Sequence, residues 1–289
     1  MRADYRTWTA ILLIPMLIGG CVKMALRSSP ALVPDLAETF FEECDPVLAE
    51  KAIPGNLKLL EGLLKTDAGN RQILTALAMG FCGYSFLFVE PDDPQRASAL
   101  YLRARDYGGR ALGARGIRLT DPTEPREQFE EVLNGITKKD LEPLFWVAMS
   151  WNAWIGLNLH QPVAIAQLSR AQACLERTLE IDDNYLYGIP NVLMGVSLAS
   201  QPSLAGGDPE RAKTYFEKSL RSSGRRFLLA QYAFARYYAV RVQDRALFLE
   251  LTEEIIAADP RELRAVCLIN AVVQKRARKL QAEVDDLFI

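Results

Sequence analysis

Histidine is almost absent: His160 is the only one in 289 residues. That removes most metal sites and the Ser-His-Asp class of triads from consideration. Cysteine is sparse, with five residues and no C-x-x-C pair. Positive charge is not in excess. Lys and Arg number 34 against 36 Asp and Glu, a net charge of −2. A nucleic-acid partner is not expected, because phosphate binding needs clustered positive charge. Gly206-Gly207 lacks the Lys-Ser/Thr that a phosphate loop requires. No nucleophile, base and orienting group occur together, so an enzyme is not expected, and neither is a cofactor. From Asp35 onward no stretch alternates like a strand.

What is present is apolar and ordered. Hydrophobic residues make up 49% of the chain and charged ones 24%. This is an ordinary globular balance, long enough for one large domain or two modest ones.

The N-terminus reads MRADYRTWTAILLIPMLIGGC. Arg2 and Arg6 precede an apolar run from Trp8 to Ile18, too short to span a bilayer comfortably, since that takes ~20 residues. Small residues before Cys21 resemble a bacterial lipobox. This predicts a signal peptide over 1–20, lipidation at Cys21 and a tether over 21–34, where Ser and Pro oppose helix. An ordinary secretory signal or an uncleaved anchor is the alternative. Cleavage removes two Arg and one Asp, leaving a net charge of −3. More than one acyl chain makes a stable anchor. Val22 after the cysteine, rather than Asp, resembles sorting to the outer membrane, facing the periplasm. There Cys44, Cys82, Cys174 and Cys267 are free to form disulfides. Four cysteines allow three full pairings, and the sequence does not choose among them. All four read as core residues, with Cys44–Cys82 the bridge to expect if one forms.

The domain over 35–289 reads as all-α. Apolar residues recur at three and four positions. Asp45-Pro46, Asp93-Pro94, Asp121-Pro122 and Asp208-Pro209 each offer an N-cap acceptor followed by a proline suited to the first helical position. About a dozen helices with short loops make antiparallel neighbours. Three segments also superpose: RASALYLRA at 96–104, RAQACLERT at 170–178 and RAKTYFEKS at 211–219. Each sets a small residue four before a bulky one: Ala97 and Tyr101, Ala171 and Leu175, Ala212 and Phe216. The alanines are 74 and 41 residues apart. These steps fit two units and one lengthened unit of a repeat of about 34 residues. The pattern resembles the second helix of a tetratricopeptide (TPR) repeat, with Met194-Gly195 like the first-helix Leu-Gly pair. The loop Gln201–Asp208 lengthens that unit. A generic helical bundle is the alternative.

QPSLAGGDPERAKTYFEKSL at 201–220 and RFLLAQYAFARYYAVRVQDRALFLELTEEI at 226–255 resemble the T component of tripartite ATP-independent periplasmic (TRAP) transporters, the TatT family. FCGYSFLFVE, RARDYGGRAL and LFWVAMSWNAWIGL resemble its N-terminal half. The likeness runs over roughly 35–288. It implies a periplasmic lipoprotein with cryptic TPR motifs and a homotrimer with a hydrophobic central pore. It also implies binding to the substrate-binding P component and transfer of an apolar ligand. A structural envelope scaffold with no small ligand is the rival reading.

Two aromatic groups are candidates for an apolar ligand surface. In LFWVAMSWNAWIGL, Trp154 and Trp151 fall about 80° and about 140° around the helix from Trp146. Phe145 and other apolar residues fill the opposite arc, so the helix is apolar nearly all round and reads as buried. Each tryptophan contributes roughly 4–6 kcal/mol if fully buried, at ~25 cal/mol per Å². Core filling therefore explains them, and one wall of a ligand cavity is the competing reading. In the second group, Phe227, Phe234 and Tyr238 share a face, and Tyr237 or Tyr238 has a hydroxyl suited to a groove edge.

Other features have simpler readings. Gly206-Gly207 allows a turn with positive φ before the Asp208 cap. Asp244-Arg245 reads as a cap and a surface charge. Asp182-Asp183 and Asp285-Asp286 lack further ligands, so no metal site is expected. His160 sits at a helix end. Arg276, Arg278 and Lys279 read as the solvated face of the last helix, with contact to an acidic partner as the alternative.

Overall fold

The computed structural model describes residues 31–201 and 206–288. Among them there is helix and no strand. The signal peptide, Cys21 and most of the tether lie outside the described residues, as do 202–205 of the lengthened loop.

The order is α1 Leu32–Phe41, α2 Pro46–Thr66, α3 Arg71–Tyr84, α4 Pro94–Ala111, α5 Ala114–Thr120, α6 Arg126–Asn134, α7 Leu141–Leu157 and α8 Leu168–Ile181. Then follow α9 Tyr185–Ser200, α10 Pro209–Ser223, α11 Leu228–Ala233, α12 Arg245–Ala257 and α13 Cys267–Ala282. Two helices end in π-turns, α3 at Ser85–Val89 and α11 at Phe234–Ala239. Single turns at Pro162–Ile165 and Val284–Leu287 and tighter turns at Lys138–Asp140 and Pro260–Val266 complete the chain.

The caps follow the sequence. Asp45 accepts from the Val47 and Leu48 amides, Asp93 from Arg96, Asp208 from Arg211 and Asp244 from Leu247. Each satisfies amides that the first helical turn leaves without partners. Asp121-Pro122 is a correction: Asp121 ends α5, and its carboxylate turns back to the Thr123 amide and hydroxyl, at 2.8 and 2.7 Å. The short side-chain loop outcompetes helix there, and α6 starts at Arg126. α1 likewise begins at Leu32, inside the stretch read as tether. Pro34 sits in its first turn, where a missing N–H costs nothing.

Helices pair in antiparallel hairpins, α3 with α4, α7 with α8 and α9 with α10. Ala97, Tyr101, Ala171, Leu175, Ala212 and Phe216 are all fully buried. Gly195 on α9 faces the Phe216 ring so closely that a Cβ would sit 2.9 Å from it. The hairpin can close only on a residue without a side chain. Gly206 has the expected positive φ, 94°. α9 holds a feature no periodicity predicts: Leu186, Tyr187 and Gly188 are left-handed in succession, and the regular helix starts at Ile189-Pro190.

The array does not stay open. α13 returns to α1 and α2, and Arg264 pairs with Glu42 at 3.1 Å. Cys44 forms its disulfide with Cys267, Cα atoms 5.1 Å apart. This corrects the Cys44–Cys82 pairing. Cys82 and Cys174 are free and buried. Closure of the array brings together cysteines that lie 223 residues apart in sequence.

Candidate functional site

The tryptophan helix α7 lies between α4 and α8 and also touches α3. Phe145, Trp146, Trp151 and Trp154 are buried. Trp151 Nε1 donates to Gln167 Oε1 at 3.0 Å, and the Arg105 guanidinium lies over its ring. Phe145 meets Tyr185 and Trp146 edge to face. Trp146 Nε1 has no acceptor among the described residues. In the second aromatic group Tyr238 is buried against Phe234, which stacks on Phe216. Tyr237 is half-buried. The structure thus spreads the two groups over different hairpins.

Arg276 is a further correction. Its side chain is turned inward, and Nη2 donates to the carbonyls of Phe86 and Leu87 at 2.5 and 3.2 Å. The cause is the π-turn. The Glu90 amide reaches back to Ser85, and Pro91 has no amide to offer. The Asp92 and Asp93 amides both go to Val89. Two carbonyls are left without a backbone partner, and a guanidinium from α13 supplies one. Its charge also faces Glu90, which accepts from the Tyr101 hydroxyl. Burial raises the Glu90 carboxyl, while the Tyr101 bond and Arg276 draw it down. Tyr101 is pushed well above its ordinary value by burial and by Glu90. Arg278 and Lys279 remain exposed, as expected.

Two clefts lie away from both aromatic groups. An apolar cleft with a cavity volume of about 60 Å³ runs between α1, α2 and α3 and is open on one side. Val33 and Phe40 of α1 cover it, Leu57 and Met79 form its walls, and Leu268 of α13 closes one end. Asn56 and Tyr84 are its only lining residues with polar side chains. Asn56 already donates to the Ala52 carbonyl. The cleft exists because Ala76 and Gly83 of α3 present almost no side chain to it. A Cβ on Gly83 would meet nothing within 4 Å. A second cleft, with a cavity volume of about 110 Å³, also touches α1 and is lined by Arg71, Thr75, Lys139 and Glu142 among others. The two share Val33, Ala37, Ala76 and Met79 as lining residues, at the contact of α1 with α3.

None of the aromatic candidates lines either cleft. Sequence reasoning missed this place. Its signal was a row of small residues, Ala76, Gly80 and Gly83, on one face of an otherwise bulky helix.

Asp182-Asp183 is a cap and an ion pair to Lys218, and Asp285 pairs with Arg245. His160 is exposed beside Gln161. Among the described residues no group of acidic, His or Cys side chains is arranged to hold a metal.

The described chain is thus an all-helical array of hairpins with an apolar cleft beside its first helix. Its sequence matches the TRAP transporter T-component over residues 42–288. The chain belongs to that family. A relative from Treponema pallidum (strain Nichols), described only as an uncharacterized protein, is 26% identical over 271 residues. That alignment spans 88% of this chain and 84% of the relative. Membership makes the protein a component of a transport system rather than an enzyme of known class. It also implies a membrane-associated protein facing the periplasm.

Proposed function

We propose that this chain is a lipoprotein, anchored through Cys21 in the outer membrane, that works with a P-type solute-binding protein and handles an apolar or amphipathic solute as a homotrimer. Family membership across nearly the whole described chain is the observation that carries this reading. The disulfide agrees with an oxidising compartment. The apolar cleft beside α1, the helix that follows the tether in sequence, is lined almost wholly by apolar side chains, as contact with such a solute needs.

The test is made on cells producing the full chain. Radiolabelled palmitate should enter the protein and be lost in Cys21→Ser. Chemical crosslinking should give a trimer, and a further species containing a P-type binding protein identified by its peptides. A labelled but monomeric protein that captures no binding protein would favour the envelope scaffold instead.

A further inference from the structure

The connections at one end of the array are basic, and α1 begins beside them. We propose that this end is a membrane-contact surface, resting on the anionic phospholipid headgroups of the bilayer that holds the lipid at Cys21. The proposal rests on the lipoprotein reading above and adds which face meets the bilayer and which lipid chemistry it meets.

Three connections come together there: 65–71 from α2 to α3, 110–115 from α4 to α5, and 134–140 from α6 to α7. The buried Asp140 carboxylate accepts from Arg71 at 3.2 Å and from Arg115 at 3.3 Å, so it holds a side chain from each of the other two. Arg71 also donates to the Lys139 carbonyl at 2.6 Å, Arg115 to the Gly135 carbonyl at 2.9 Å and Arg110 to the Ala68 carbonyl at 3.4 Å. These bonds fix the three connections as one surface.

Charge on that surface is one-sided. Lys65, Arg110, Lys138 and Lys139 are exposed, and none has a carboxylate partner among the described residues. The carboxylates within the three connections are Asp67 and Asp140, both buried. Asp140 is already met by its two arginines. Glu142, just beyond on α7, has the Arg71 charge beside it. Four cations are thus left facing water. Each Lys or Arg held near an anionic membrane surface strengthens binding roughly fivefold.

The path of the chain selects a bilayer among acidic partners. α1 runs along α3 from this end: Val33 and Pro34 line a cleft with Arg71 and Lys139, whereas Phe41 lines the other with Tyr84 and Leu87. Leu32, the first residue of α1, is 55% exposed and adds apolar contact at the same end. Cys21 lies eleven residues before Leu32, a span of at most about 40 Å. α3 with its π-turn, 19 residues over Arg71–Val89, is about 28 Å long. To bring the opposite end to the bilayer, the chain before Leu32 would have to run back over that length. The basic end reaches the bilayer without that detour.

The test uses the full chain, purified with its lipid and reconstituted in vesicles of phosphatidylcholine, alone or with about one-third phosphatidylglycerol. A membrane-impermeant reagent acetylates exposed lysines, and the sites are read from their peptides. Acetylation of Lys65, Lys138 and Lys139 should slow at least fivefold in the anionic vesicles, with Lys213 on α10 and Lys275 on α13 unchanged. Salt at about 1 M, where the Debye length is about 3 Å, should restore the rate. Amide exchange across 111–114 should slow in the same vesicles. Combining Lys65→Gln, Lys138→Gln and Lys139→Gln should remove most of that slowing without lowering the melting temperature, since all three side chains are exposed. Equal acetylation in the two vesicles, equal slowing at Lys213 and Lys275, or slowed exchange that survives in the triple variant would overturn the proposal. Protection in cell envelopes but in neither vesicle would assign the face to a protein partner and overturn it as well. A chain that takes up palmitate yet is acetylated equally in both vesicles sinks this surface and leaves the lipoprotein reading standing. One that takes up no palmitate and floats with neither vesicle sinks both.

Discussion

Gly195 shows how little latitude a single position has in this array. Its Cα rests against the Phe216 ring, and the smallest side chain would intrude. Gly195→Val should lower unfolding stability by about 1–3 kcal/mol, from overpacking, in urea titrations of the whole chain. Glu90 behaves differently, because its environment sets a titration. Burial raises its folded pKa above the ordinary 4.5, so the folded state holds the proton more tightly than the unfolded chain. The resulting stabilisation is full below 4.5 and is lost as pH rises through the folded value. Stability of the wild type relative to Glu90→Gln should therefore decline as pH rises from 4 toward neutrality. A difference that stays flat over that range would contradict the account. The small-to-bulky spacing of Ala212 and Phe216 was readable from sequence, since it repeats in three segments. The Glu90 environment was not, because its partners come from α4 and α13.

At the scale of elements, the π-turn of α3 and the last helix depend on each other. Pro91 withholds an amide, and Arg276 donates instead to the Phe86 carbonyl, 190 residues away in sequence. Arg276→Met should cost about 1–3 kcal/mol, for two carbonyls left buried without donors. Pro91→Ala restores a backbone amide within reach of the Leu87 carbonyl. The double variant should then lose less than the sum of the two single ones, with a coupling of about 0.5–2 kcal/mol. Simple additivity would show that Arg276 acts only by packing. Helical periodicity marked Arg276 as a surface residue because that pattern reports a position's own helix face. It says nothing of a carbonyl that another helix leaves open.

For the whole molecule, closure is the decisive feature. The disulfide from Cys44 to Cys267 ties the segment after α1 to the last helix, and the Glu42–Arg264 pair lies beside it. Cys44→Ser should lower stability by about 2–5 kcal/mol. Amide exchange across 32–41 should quicken in the variant, and reduction of the wild type should reproduce both effects. Unchanged exchange in that helix would mean that apolar packing alone holds the cover of the cleft. The sequence alone determined the helical class, most of the helix starts, the repeat residues and the family. Caps, spacing and apolar period act within a few residues along the chain, so they are written locally. The tertiary structure decided which cysteines pair, where Arg276 points and where an apolar cleft stays open. Each of these is a meeting of segments far apart in sequence, and only the closed array brings them within contact distance.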